Sequence, residues 1–90
     1  MDRSLVRAFA HKPFLIDELE VLETELNDIE QGEESLSFHP SKKCVTHRFN
    51  HDWEMEYVVL QHWSDHVGAS FSLTDDTDKH GYYNAYITIP

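Results

Sequence analysis

The chain has 90 residues, 40% of them hydrophobic and 12% aromatic, and sets 17 acidic residues against 7 basic ones for a formal net charge of −10. That length predicts one domain over residues 1–90, burying about 60–65% of the surface its unfolded chain exposes, and the aromatic content is too rich for a disordered chain. The acidic excess argues against direct nucleic-acid or anionic-membrane binding, which need Lys and Arg, and points to a basic partner or to solubility.

Cys44 is the single cysteine, so no internal disulfide forms and a reducing compartment suits the chain. No apolar run approaches the roughly 20 residues that span a bilayer, and Met1 to Ala10 lacks the uninterrupted apolar stretch of a secretory signal. These features predict a soluble cytoplasmic protein.

Asp2 or Ser4 can cap a short first helix running through Leu5, Val6 and Phe9 to about Ala10. Pro13 then reads as the first residue of the main helix, to about Gln31, with Asp17 and Glu18 near the positive end of its dipole and Gly32 as its stop. Leu15, Leu19, Leu22, Leu26 and Ile29 recur at spacings of 4, 3, 4 and 3, which places one apolar stripe along that helix. Asp17, Glu18, Glu20, Glu23, Glu25, Asp28 and Glu30 fill the remainder, with no Lys or Arg among them.

After Gly32 the period changes from 3.6 to 2. Ser35 to His39 predicts a short strand ended by Pro40, and Lys43 to Phe49 a second in which Val45, His47 and Phe49 oppose Cys44, Thr46 and Arg48. Asn50, His51 and Asp52 supply turn residues. Trp53 to Trp63 predicts the longest strand, with Trp53, Met55, Tyr57, Val59 and Trp63 facing the core and Glu54, Glu56, Val58, Leu60 and His62 opposite. Ser64 to Gly68 breaks it; Ala69, Phe71 and Leu73 begin another strand, Asp75 to Gly81 forms a polar loop, and Tyr82 to Ile89 closes the chain. The short connections favour antiparallel neighbours. The expected fold is α+β: a meander of four or five antiparallel strands with the main helix across one face, burying its stripe against Trp53, Met55, Tyr57, Phe71 and Ile87.

Nine of the 17 acidic residues fall between Asp17 and Glu34, so the negative field is concentrated. Selection for stability alone interleaves signs, because Glu and Lys four apart add roughly 0.2–0.5 kcal/mol and like charges subtract as much. The stripe also has zipper spacing, with Leu19 and Leu26 at a and Leu22 and Ile29 at d. Glu18, Glu23, Glu25 and Glu30 then flank it at e and g, which opposes a parallel homodimer and favours packing on the protein's own sheet.

Tyr82 and Tyr86 fall on the second sheet face, where Glu54 and Glu56 would supply an anionic rim to a protein contact unless the first helix covers them. Seven histidines raise a metal site, but four residues along an extended strand separate His47 from His51, and His62 from His66, by about 13 Å, and no zinc-ligand motif is present. Asp76, Asp78 and His80 before Gly81 match only the first half of a calcium loop, since the twelfth position is Ile87. Nothing beside Cys44 lowers its pKa, and three glycines form no nucleotide-binding loop.

No catalytic residue, metal or cofactor is indicated. The reading is a protein-binding inhibitor or modulator, monomeric or homodimeric. It occupies a basic, nucleic-acid-binding surface of a partner through Asp17, Glu18, Glu20, Glu23, Glu25, Asp28, Glu30, Glu54, Glu56, Tyr82 and Tyr86. In charge, size and compactness, though in no sequence motif, such a chain is similar to the anti-CRISPR and anti-restriction proteins of bacteriophages and mobile elements. The alternatives are a histidine-based metal protein or enzyme, separable by metal analysis, and an assembly subunit joined through a sheet face or edge.

Overall fold

A computed structural model describes residues 1–30, 36–49, 53–74 and 77–90. Its elements run α1 (Arg3–Ala8), α2 (Pro13–Glu30), β1 (Leu36–His39), β2 (Cys44–Arg48), α3 (Trp53–Val67), β3 (Ser70–Leu73) and β4 (Asn84–Thr88). The architecture is α+β, a four-stranded antiparallel sheet with its helices on one face.

The Asp2 side chain caps α1 by accepting from the Ser4 N–H at 2.7 Å. Pro13 opens α2, and the predicted stripe faces inward: Leu15, Leu19, Leu22 and Leu26 are buried and Ile29 is half-buried. The expected ends of this region at Gln31 and Gly32, the strand start at Ser35, and the turn at Asn50, His51 and Asp52 lie outside the described residues.

The segment expected to form the longest strand is helix α3. Its alternation of Met55, Tyr57 and Val59 competes with a second pattern, Glu56, Leu60, Trp63 and Val67 at spacings of 4, 3 and 4, and the helical pattern prevails. Glu56, Leu60 and Trp63 are buried, whereas Met55, expected in the core, is 60% exposed. Glu54 and Glu56 lie in the first turn and His66 in the last, both favourable to the helix dipole. Gly68, at φ +75°, ends the helix in the left-handed conformation that a side chain would strain.

The strand order is β1-β2-β4-β3. The helical crossover from β2 leads past β4 to β3, so a simple meander gives way to a split β-α-β unit in which β4 is inserted between two parallel strands. Register aligns Leu36, His47, Ala85 and Leu73 across the sheet, and beside them Phe38, Val45, Ile87 and Phe71. These rows face the helices. Leu5, Leu19, Leu22, Leu26, Leu60 and Trp63 close over them to make one core. The Trp63 indole donates to the Glu18 carbonyl at 2.8 Å, which fixes α3 against α2.

Candidate functional site

The acidic helix divides into an outer and an inner set. Asp17, Glu20, Glu25 and Asp28 are exposed, and Glu18 is half-buried with its carboxylate 3.5 Å from His66 Nε2. Glu23 departs from the expected surface set. It is only 8% exposed, and its carboxylate lies 3.6 Å from the amino nitrogen of Met1. The side chain of Glu30 lies outside the described residues, as do Glu33 and Glu34. Phe14 and Val21 project among the outer carboxylates, seven residues apart and both at least half exposed.

The two acidic residues expected on a strand rim separate because that segment is helical. Glu54 is exposed at the start of α3. Glu56 faces the core, fully buried, 3.3 Å from Nε2 of the equally buried His47 on β2. Glu56 therefore cannot meet a partner. The reason is angular: each helical residue turns the side chain by about 100°, so two residues that share a strand face, two positions apart, point about 200° apart on a helix. Burial, with the Arg48 charge as the smaller cause, lowers the His47 pKa to about 4, so the imidazole is neutral at pH 7. The His47 ring also meets Phe49 edge-on at 4.9 Å.

No described helix covers the opposite sheet face. The first helix packs beside β1 on the core side, with Phe9 edge-on to Phe38, so it does not screen Tyr82 and Tyr86. Val58 and Leu60, expected beside the tyrosines, are on α3 instead. Tyr82 and Tyr86 each carry a cation: Lys42 Nζ sits 4.2 Å from the Tyr86 ring centre, and the Arg48 guanidinium 4.6 Å from that of Tyr82. Lys43, at φ 52°, closes the turn that carries Lys42 there. None of the four strands contains Asp or Glu, so the strands carry no acid of their own, and the Asp78 carboxylate reaches the outer face only at the Asn84 end of β4. The sequence already carried this sign, because Leu36 to Phe49 holds Lys42, Lys43 and Arg48 and no acid.

Two histidines move closer than an extended strand allows, since His62 and His66 are one turn apart on α3. Among the described residues no group of three His, Cys, Asp or Glu is placed to hold a metal ion; His51 lies outside them. In the polar loop Asp78 accepts from the N–H groups of Tyr82 at 3.0 Å and His80 at 2.9 Å and from the Asn84 amide at 3.2 Å. These bonds, the Tyr82 N–H first, hold its pKa below the usual carboxylate value. They make Asp78 a turn residue; Asp75 and Asp76 lie outside the described residues. Cys44 is buried and its thiol pKa is raised by desolvation, against a smaller opposing effect of Lys42, which disfavours a nucleophilic thiolate. Among the described residues no helix is long and apolar enough to cross a membrane.

Compared with known proteins, the chain matches no family model, no curated protein and no solved structure.

Proposed function

We propose that this protein is a small acidic inhibitor or modulator that occupies a basic, nucleic-acid-binding surface of a partner protein, with the outer carboxylates of α2 standing in for phosphates. The carrying observation is their spacing. Asp17, Glu18, Glu20, Glu25 and Asp28 are solvent-accessible along twelve residues of helix, about 16 Å of axis or one charge per about 4 Å, comparable to one charge per about 3.4 Å along a DNA strand. No cation interrupts them within α2. Phe14 and Val21 add apolar area, giving the patch the mixed composition of a protein contact.

Glu54, Tyr82 and Tyr86 stay in the reading as peripheral contacts; Glu23 and Glu56 leave it because they are buried. A cytoplasmic setting fits a nucleic-acid enzyme as partner. The format is similar to that of phage and mobile-element inhibitors such as anti-CRISPR and anti-restriction proteins, in size, acidity and compactness alone. Capture from lysate on the immobilised protein, at about 0.1 M and about 1 M salt, tests it. Recovery of a nucleic-acid-binding protein at low salt only, displaced by its own nucleic acid, supports the reading; capture indifferent to salt and nucleic acid overturns it.

A further inference from the structure

The edge strand β3 is self-complementary, and we infer that it joins a second copy of this chain in an antiparallel, two-fold pairing that extends each four-stranded sheet into one of eight. The inference is independent of the acidic-helix reading and uses another side of the molecule. The Thr74 N–H donates to the Asn84 carbonyl at 2.9 Å, which fixes the phase of the ladder. With Ser72 opposite Tyr86 and Ser70 opposite Thr88, the backbone groups of Ser70 and Ser72 point to β4, and those of Phe71 and Leu73 point away from the sheet. Among the described residues no strand pairs with that outer edge.

Natural edges are guarded by charge, proline or a covering element. The β1 edge has Pro40 at its end and α1 packed beside it. Strand β3, Ser70-Phe71-Ser72-Leu73, has neither charge nor proline, and Leu73 is 44% exposed. Above it runs a groove of about 430 Å³ between β3 and α3, bordered by Tyr57, Gln61 and Asp65, with Asp65 the one acid among the described residues that line it.

The occupant is a second copy because one register satisfies both edges at once. Placing Phe71 opposite the partner's Leu73, and Leu73 opposite the partner's Phe71, exchanges four N–H to carbonyl bonds. On the helix side, the half-exposed Leu73 is then covered by the other copy's Phe71. The two-fold axis passes beside Ser72, which meets its own copy across a non-hydrogen-bonded pair with Cα atoms about 4.5 Å apart. That separation is within disulfide range.

Sedimentation tests the pairing, with the parent expected to show twice the 10.6 kDa chain mass at micromolar to millimolar concentration. Dimerisation should strengthen with salt, since two chains of net −10 repel each other at long range; binding through the acidic helix should weaken. Leu73→Lys should raise the dimer dissociation constant at least about tenfold, with circular dichroism and melting checked to show the monomer still folded. In a Cys44→Ser background, Ser72→Cys should cross-link on mild oxidation and Ser70→Cys should not, because in this register residue 70 lies far from its own copy. A parent monomeric at millimolar concentration overturns the inference. So does a dimer that a folded Leu73→Lys variant leaves intact, or one that cross-links through Ser70→Cys instead.

Discussion

His47 Nε2 on β2 lies 3.3 Å from the Glu56 carboxylate on α3, and neither side chain reaches solvent. The contact joins the sheet to the helix above it within a mainly apolar layer. A buried polar pair of this kind is expensive to break and of modest net value whole, because removing one member takes a hydrogen-bonding partner from the other in a site away from water. His47→Leu and Glu56→Leu should each destabilise by roughly 1–3 kcal/mol, against a total of roughly 5–15 kcal/mol for a domain. The double variant should recover most of that loss. Urea titration of all four proteins measures the coupling; losses that simply add would show that the two side chains act separately.

The protonation of the same pair sets a pH dependence. Folding lowers the His47 pKa from 6.5 to about 4, so between those values the unfolded chain binds more protons at this site than the folded one. The His47 contribution, about 3 kcal/mol when complete, is therefore fully present above pH 6.5 and is lost as pH falls through about 4. Burial of the imidazole sets this direction, and the Arg48 charge adds to it. Imidazole nitrogen shifts followed by NMR from pH 7 to 4 should show His47 neutral to below pH 5. Titration at 6.5 or above would mean that the carboxylate dominates.

The stripe of α2 makes a simpler demand. Leu22 is fully buried among core residues, and Leu22→Ala should cost roughly 2–5 kcal/mol by lost contacts and a cavity. Ile29 is only half-buried, so Ile29→Ala should cost distinctly less. A Leu22→Ala variant that melts with the parent would place the helix elsewhere.

The sequence disclosed elements according to how singly their patterns could be read. Leu15, Leu19, Leu22 and Leu26 obey only the helical period, and α2 is legible from them. Val45 and His47, or Ala85 and Ile87, obey only the alternating period, and both strands are legible. Trp53 to Val67 obeys both, and it is rich in the β-branched and aromatic residues that favour strands. What disguised the helix was Glu56: it occupies the core seam, where an acid breaks the apolar stripe for a reader who cannot see His47 facing it. The same misreading placed Glu56 on a surface rim. Glu23 was hidden differently, since nothing within α2 marks one glutamate as turned inward. The pairing of Lys42 with Tyr86 depends on the return of β4 beside β2, a contact 44 residues apart in sequence.

The outer carboxylates of α2 carry the functional reading, and the structure selects which to change. Glu23 is buried and Glu18 lies beside His66, so replacing either mixes folding with recognition. Asp17→Asn, Glu20→Gln, Glu25→Gln and Asp28→Asn alter exposed positions only and remove four charges at almost constant size. The melting temperature should hold or rise, because like charges three apart on one helix, Asp17 with Glu20 and Glu25 with Asp28, each subtract roughly 0.2–0.5 kcal/mol. Association with a basic partner should slow, most of all at low salt, where the Debye length is about 10 Å at 0.1 M against about 3 Å at 1 M. Stopped-flow mixing with the captured partner, parent against variant across that salt range, reads the on-rate directly. Steering by the acidic face predicts a parent rate that falls steeply with salt and a variant rate that is lower and flatter. Equal rates and affinities for the two proteins at physiological salt would assign recognition to another surface, with the outer sheet face and its Tyr82 and Tyr86 the next to be changed.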